Sequence, residues 1–353
     1  MTIVIVGAGI IGTAVADALT LGGADVTVLD MRSPGLGASQ ASAGILAPYA
    51  EAEPHSPLLD LGVRSLSLYD AFVAGAAERS GRAIEYARTG TLQVALDEAH
   101  AATLQAESAW LREAGVDATW LDSREIGALE PAVSASSRGG LIIRSHGFVG
   151  VRSLVHALMH SARFGGATFE SPVEAADVIV ESDRVRISAG ERSWTADAMV
   201  IAAGSWSNRL KIRGASLPAV RPIRGQLLHL RWNGADLPRR VIWGPDCYIV
   251  PWSDGSLLVG ATVEDVGFDE RSTVDGMRQL LDAASALLPS SARASIEAVR
   301  VGLRPASPDG LPIIGPMPSM PNVVLATGHY RNGILLAPLT AQIVSAYLLR
   351  LGA

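Results

Sequence analysis

The strongest constraint on this chain lies in its first thirty residues. Thr2 to Val6 (TIVIV) is a short β-branched run, and Gly7-Ala8-Gly9-Ile10-Ile11-Gly12 follows it directly. Thr13 to Leu21 is apolar and helix-forming, Gly22-Gly23 stops it, and Ala24 to Leu29 alternates as a second strand that closes on Asp30. This is the pattern of a βαβ unit. Gly7 allows the tight turn, Gly9 lets backbone approach a pyrophosphate, and Gly12 lets helix pack closely on strand. The helix N-terminus offers unpaired N–H groups and partial positive charge to phosphates. Asp30, 18 residues after Gly12, stands where a carboxylate binds a ribose with a free 2′-hydroxyl. Arg32 is expected to pack near the adenine. The motif alone does not choose between NAD and FAD.

Beyond that unit, helices are expected over 58–80, 98–114, 152–164, 273–288 and 334–350. Strand-like runs are expected over 85–96, 170–180, 184–187, 198–203, 225–262, 299–303 and 323–327. Helix-and-strand βαβ material recurs at the start, middle and end, with antiparallel-looking material between. The expected class is α/β: a Rossmann-type dinucleotide-binding domain with a second α+β substrate domain on an antiparallel sheet. The division read from the sequence is 1–84, 145–217 and 304–353 for the nucleotide domain, and 85–144 and 218–303 for the substrate domain.

Composition removes other classes. The chain has 353 residues, 48% of them apolar and 18% charged, which suits a buried core and argues against disorder. Net charge is −6 with no basic run, so nucleic acid is not an expected partner. The single cysteine, Cys247, excludes intramolecular disulfides and fits a reducing cytoplasm. No secretory signal pattern opens the chain. The apolar stretch Ile334 to Leu351 is interrupted by Pro338, Thr340, Gln342, Ser345 and Arg350, and reads as a buried or amphipathic helix, not a membrane span. The seven histidines show no metal-ligand spacing, so no metal site is expected.

Three further segments decide the cofactor: GASQASAGIL at 37–46, AAGSW at 202–206 and TGHYRNGILL at 327–336. With GAGIIG they resemble the D-amino acid oxidase superfamily of flavoproteins, and within it the glycine oxidase branch linked to thiamine biosynthesis. YIVP at 248–251, GATVEDVGF at 260–268 and GLRP at 302–305 are similar to that branch too, so the resemblance spans essentially the whole chain. It implies non-covalently bound FAD, with Gly7, Gly9 and Gly12 at the pyrophosphate and Asp30 at the ribose. It places Ser39, Gly44 and Leu46 along the ribityl and flavin parts, and Val173, at the start of a strand, on the adenine through its backbone. Gly204 and Trp206 close over the cofactor. Gly328, Arg331, Asn332, Gly333 and Ile334 meet the flavin's pyrimidine edge, where the C-terminal helix N-terminus would stabilise the charge of the reduced flavin.

An amino acid carboxylate calls for a planar bidentate donor. Arg304 matches the branch's carboxylate-binding arginine and Tyr248 its hydroxyl donor; on sequence alone they also read as a surface ion pair and a strand aromatic. Arg331 matches a position beside flavin and substrate amine. Val263 and Asp246 are expected pocket variables. The resemblance implies hydride transfer from Cα to the flavin, with O2 as the oxidant, and a homo-oligomer. A D-amino acid dehydrogenase or sarcosine-type oxidase of the same superfamily is the alternative, although Lys211, the sole lysine, is not placed to activate oxygen.

Overall fold

The computed structural model describes residues 1–51, 53–175, 177–181, 184–234 and 236–352. Its organising element is a six-stranded sheet in the order Ile313–Met317, Met320–Thr327, Ala198–Ile201, Thr2–Val6, Asp25–Leu29 and Thr168–Glu170. All neighbours are parallel except the first pair, an antiparallel hairpin. A parallel strand is covered on both faces. Accordingly Ile3 and Ile5 enter one core, with the helices Ile10–Leu21, Val151–Phe164 and Gly333–Leu351, while Val4 and Val6 enter another. That second core is closed by a small sheet containing Asp177–Val180, Val185–Ala189 and Arg192–Ala196.

The second body is an eight-stranded sheet: Ser295–Ala306, Arg221–Arg231, Ser256–Gly260, Tyr248–Pro251, Val241–Trp243, Thr91–Ala95, Gly139–Ile143 and Ala118–Leu121. It is antiparallel but for the pairing of Val241–Trp243 with Thr91–Ala95. The helix Val274–Leu287 covers one face through Leu280, Ala284 and Leu287. The mixed α/β class, with a largely parallel sheet and a second, largely antiparallel one, therefore stands. We propose the same two-unit division, with the limit at 304 moved past Ala306, because Ser295–Ala306 pairs with Arg221–Arg231 through that residue.

Several elements depart from the sequence expectation. The strand expected over 170–180 is two strands, ending at Glu170 and restarting at Asp177. Pro172, which lacks an N–H, falls in the gap, so Val173 lies in a loop and not at a strand start. The strands Ala118–Leu121, Gly139–Ile143, Arg192–Ala196 and Ile313–Met317 and the helix Ser123–Leu129 are not expected from the sequence.

The C-terminal helix Gly333–Leu351 is long and apolar enough to cross a membrane, yet 61% of its apolar window is buried within the fold. Pro338 inside it removes the N–H that would bond the Ile334 carbonyl four residues back. The hydroxyl of Tyr69, itself fully buried, donates to that carbonyl at 2.6 Å. Ser65 Oγ donates to the neighbouring Leu335 carbonyl, also at 2.6 Å. The helix Pro57–Ser80 thus grips the start of the C-terminal helix and fixes where it points.

Candidate active site

A cleft of about 560 Å³ opens between the two bodies, at the carboxyl ends of Thr2–Val6 and Asp25–Leu29. Sites of this size and position are usual for ligands of open parallel sheets. Gly7, Gly9, Asp30, Arg32, Ser39, Gly44, Val173, Gly204, Trp206, Tyr248, Arg304, Arg331, Gly333 and Ile334 all line it, as do Asp246 and Val263. Gly12, Leu46, Gly328 and Asn332 do not line it. Gly12 lies behind, where a Cβ would sit 1.8 Å from the Gly7 carbonyl oxygen, so its role is helix–strand packing. Leu46 is fully buried in core, in the strand that follows the cleft-lining segment. Gly328 turns the chain at φ 73° and Asn332 is the N-cap residue; both shape the wall from outside the lining.

The nucleotide end fits a pyrophosphate. Gly7 sits at φ 110°, and a Cβ there would lie 2.3 Å from the Ala202 carbonyl oxygen. Gly9 caps the first helix without a side-chain hydrogen bond. Ser39 Oγ accepts from the Ile10 N–H at 3.0 Å, which ties the 37–46 segment to that helix end and leaves the hydroxyl proton to donate elsewhere. The Asp30 carboxylate accepts from the Ala8 and Arg32 N–H groups at 2.6 and 2.7 Å, so it is held in one orientation at the cleft wall. Burial nevertheless raises its pKa, against those two bonds. The Val173 N–H is already given to the Asp30 carbonyl at 2.8 Å, leaving its own carbonyl for an adenine edge.

Arg32 does more than pack. It makes a two-pronged pair with Glu270 at 2.9 and 2.6 Å and lies over the Trp206 ring at 4.6 Å. Phe268 touches Trp206 and carries Arg209 over its own ring. Glu270 and Phe268 come from the segment following Ser256–Gly260, on the other body; Phe268 closes the GATVEDVGF string, and Glu270 lies just beyond it. With its charge engaged by Glu270, Arg32 is not set up to meet a 2′-phosphate.

At the opposite end, two glycines on adjacent strands make room for two large polar side chains. A Cβ on Gly225 would lie 2.4–2.5 Å from the guanidinium of Arg304, and one on Gly260 would lie 2.6 Å from the ring and hydroxyl of Tyr248. Arg304 Nη1 donates to the carbonyls of Thr262 (2.9 Å) and Arg224 (3.3 Å). Among the described residues Arg304 has no carboxylate partner. A half-buried cation oriented by backbone and facing a cavity is a ready anion site. Trp243 packs on Tyr248 at 5.3 Å and forms the wall beside it. Val263, 57% exposed, and Asp246, also exposed, stand at the mouth.

The third side is the N-terminus of Gly333–Leu351. Its cap residue makes no side-chain hydrogen bond, and Gly333 and Ile334 of its first turn face the cleft. His329, within the 327–336 segment, also lines this wall. It is 3% exposed, its Nε2 is 3.0 Å from Thr340 Oγ1, and burial pushes its pKa down to about 3, so it is neutral. Cys247 lines the cleft as a thiol, its pKa pushed up by burial to about 12. Lys211 is exposed and outside the cleft. Among the described residues no three His, Cys, Asp or Glu converge as a metal site.

Comparison with known proteins agrees with this geometry. The chain is 34% identical over 344 residues to a glycine oxidase of Geobacillus kaustophilus, covering 97% of this chain and 91% of that one. It is 35% identical to a bifunctional ThiO/ThiG protein of Synechocystis, of which it spans 51%. The crystal structure of the Geobacillus kaustophilus glycine oxidase superposes with a TM-score of 0.94 at 33% identity, covering 99% of this chain and 94% of the other. An iminodiacetate oxidase of Chelativorans superposes at 0.90 with 27% identity, covering 99% and 95%. Residues 2–347 match the family described as DAO, FAD dependent oxidoreductase, and the chain belongs to that family.

Proposed function

We propose that this protein is an FAD-dependent oxidase of glycine or a similarly small amino acid. The reaction is glycine plus O2 plus water giving glyoxylate, ammonia and hydrogen peroxide. The observation that carries the proposal is the Arg304 guanidinium, seated over Gly225 on two backbone carbonyls and facing the cleft beside Tyr248. Arg304 and the Tyr248 hydroxyl hold the substrate carboxylate and so fix Cα. The Tyr248 and Trp243 rings limit the room beyond it, which favours a small side chain. Arg331, at the cleft wall, borders the amine. Bound FAD supplies the acceptor for the Cα hydride and, through O2, the route to peroxide. The first turn of Gly333–Leu351 brings the positive end of a helix dipole to that wall, where negative charge develops. No side-chain base is needed when the amine enters neutral, and neither His329 nor Cys247 is in a state to act as one.

Gly7, Gly9, Ser39 and Asp30 hold the cofactor's pyrophosphate and ribose, with Arg32 and Trp206 over the adenosine half. Similarity to the ThiO/ThiG relatives supports a role supplying thiazole synthesis for thiamine. The resemblance likewise supports a cytoplasmic homo-oligomer. The test is to offer purified protein glycine, sarcosine, D-alanine and D-proline while following O2 uptake, peroxide and oxo acid. Glycine turnover with equal peroxide and glyoxylate supports the proposal. Turnover that proceeds only with an artificial acceptor replaces it with a dehydrogenase.

A further inference from the structure

Behind Arg304 lies a polar cluster built round a buried arginine, with part-buried carboxylates, that the substrate-site residues do not account for. Arg224 is 3% exposed, on the strand Arg221–Arg231. Its Nη2 donates to Glu264 Oε2 at 2.5 Å, and its Nη1 meets Asp269 Oδ2 at 3.1 Å and donates to the Arg271 carbonyl at 3.0 Å. The other Glu264 oxygen accepts from Gln226 Nε2 at 2.7 Å and from Thr262 Oγ1 at 2.6 Å. Both oxygens of Glu264 are therefore filled by three donors. Burial works against the Glu264 carboxylate, but the bonds from Arg224, Gln226 and Thr262 outweigh it and hold its pKa below the usual range.

This cluster and the substrate cation share their neighbours. Arg304 Nη1 rests on the carbonyls of Arg224 and Thr262, two of the three residues whose side chains donate to Glu264. Arg224 and Glu264 also exchange backbone N–H···O bonds of 2.8 and 3.0 Å. An acid so close to an unpaired guanidinium is a competitor for it. A part-buried carboxylate left without its cation is costly unless another cation pairs with it, and Arg304, resting on the backbone of Arg224 and Thr262, is a candidate to do so.

We propose that Arg224 is a positioning residue for the substrate site: by engaging Glu264, while Arg271 pairs with Asp269, it keeps the Arg304 guanidinium open to the substrate carboxylate. The inference rests on Arg304 as the carboxylate anchor, and its test separates the two ideas. The holoenzyme is titrated with acetate, a carboxylate that cannot be oxidised, and binding is followed by the shift of the flavin's visible band. Wild type binds. Arg224→Met weakens acetate at least about tenfold, as expected for coupled neighbours, and the KM for glycine follows it more than kcat does. Adding Glu264→Gln to Arg224→Met removes the competing charge and restores acetate binding to within about threefold of wild type. A merely structural role for Arg224 gives no such rescue, because the second change removes further hydrogen bonds.

If Arg224→Met does not yield folded holoenzyme, Thr262→Val asks the same question. It deletes one donor to Glu264 and keeps the carbonyl under Arg304, so acetate binding weakens severalfold and Glu264→Gln again restores it. Unchanged acetate binding in the single variant, or a double variant as weak as the single, overturns the proposal while leaving Arg304 as the anchor. Failure of the wild-type holoenzyme to bind acetate overturns both.

Discussion

Replacing Gly225 by Ala tests the substrate site without touching a catalytic group. The new methyl would lie 2.4 Å from Arg304 Cζ and Nη2, against about 3.4 Å for an ordinary contact. The guanidinium must therefore shift by about 1 Å, the difference between those separations. It can do so, because it is the end of a flexible side chain and the strand backbone at 225 needs no unusual φ. Fold stability should stay within about 1 kcal/mol of wild type, since a strand glycine contributes little by itself. Displacement of a binding group by about 1 Å costs on the order of a hundredfold in rate. The assay is steady-state peroxide formation from glycine, with FAD content and thermal unfolding measured in parallel. The expected result is kcat/KM down about a hundredfold with FAD retained. A Gly225→Ala enzyme with kcat/KM within twofold of wild type refutes the seating of Arg304 over Gly225.

Three other outcomes follow from the same geometry. Tyr69→Phe leaves the Ile334 carbonyl, orphaned by Pro338, without a donor; it should cost about 1–3 kcal/mol in chemical denaturation, and an unchanged midpoint refutes that role. His146 is buried with both ring nitrogens unpartnered, and burial followed by the nearby Arg88 charge lowers its pKa from 6.5 to about 3. A depressed folded pKa means that the unfolded state alone takes the proton between about 6.5 and 3, so stability falls as pH falls through that window. His146→Phe should shrink the stability loss between pH 7.5 and 5.5 by about 1.4 kcal/mol, and an unaltered loss contradicts the assignment. Asp30→Ala removes the acceptor for the Ala8 and Arg32 N–H groups; FAD retention on dilution should drop at least about tenfold, and full retention counts against Asp30 as a ribose ligand.

What could be read from the sequence was local. The GAGIIG turn, the following helix and Asp30 are contiguous, and their geometry depends on glycine conformation and helix polarity near one another in the chain. The RNG turn before the C-terminal helix was legible for the same reason. Arg304 and Tyr248 became candidates through family resemblance, but nothing in GLRP or CYIVP shows that Gly225 and Gly260, on neighbouring strands, make space for them. Arg32 was read as a packing residue because its partner, Glu270, is 238 positions away. The Arg224 cluster was invisible for a similar reason: it joins 224 and 226 to 262, 264 and 269, in the segment after Ser256–Gly260, which long-range pairing brings alongside. Val173, placed at a strand start by the resemblance, lies in a loop because Pro172 interrupts the stretch between Glu170 and Asp177.

The central claim is that Arg304 and Tyr248 present a small amino acid to bound FAD. It is tested most directly by mixing the holoenzyme anaerobically with glycine and following the flavin's visible absorbance. Rapid bleaching by glycine, slowed severely in Arg304→Met, with colour and peroxide returning when air is admitted, is the expected result. A holoenzyme that glycine, sarcosine, D-alanine and D-proline all leave oxidised contradicts the account of the substrate site.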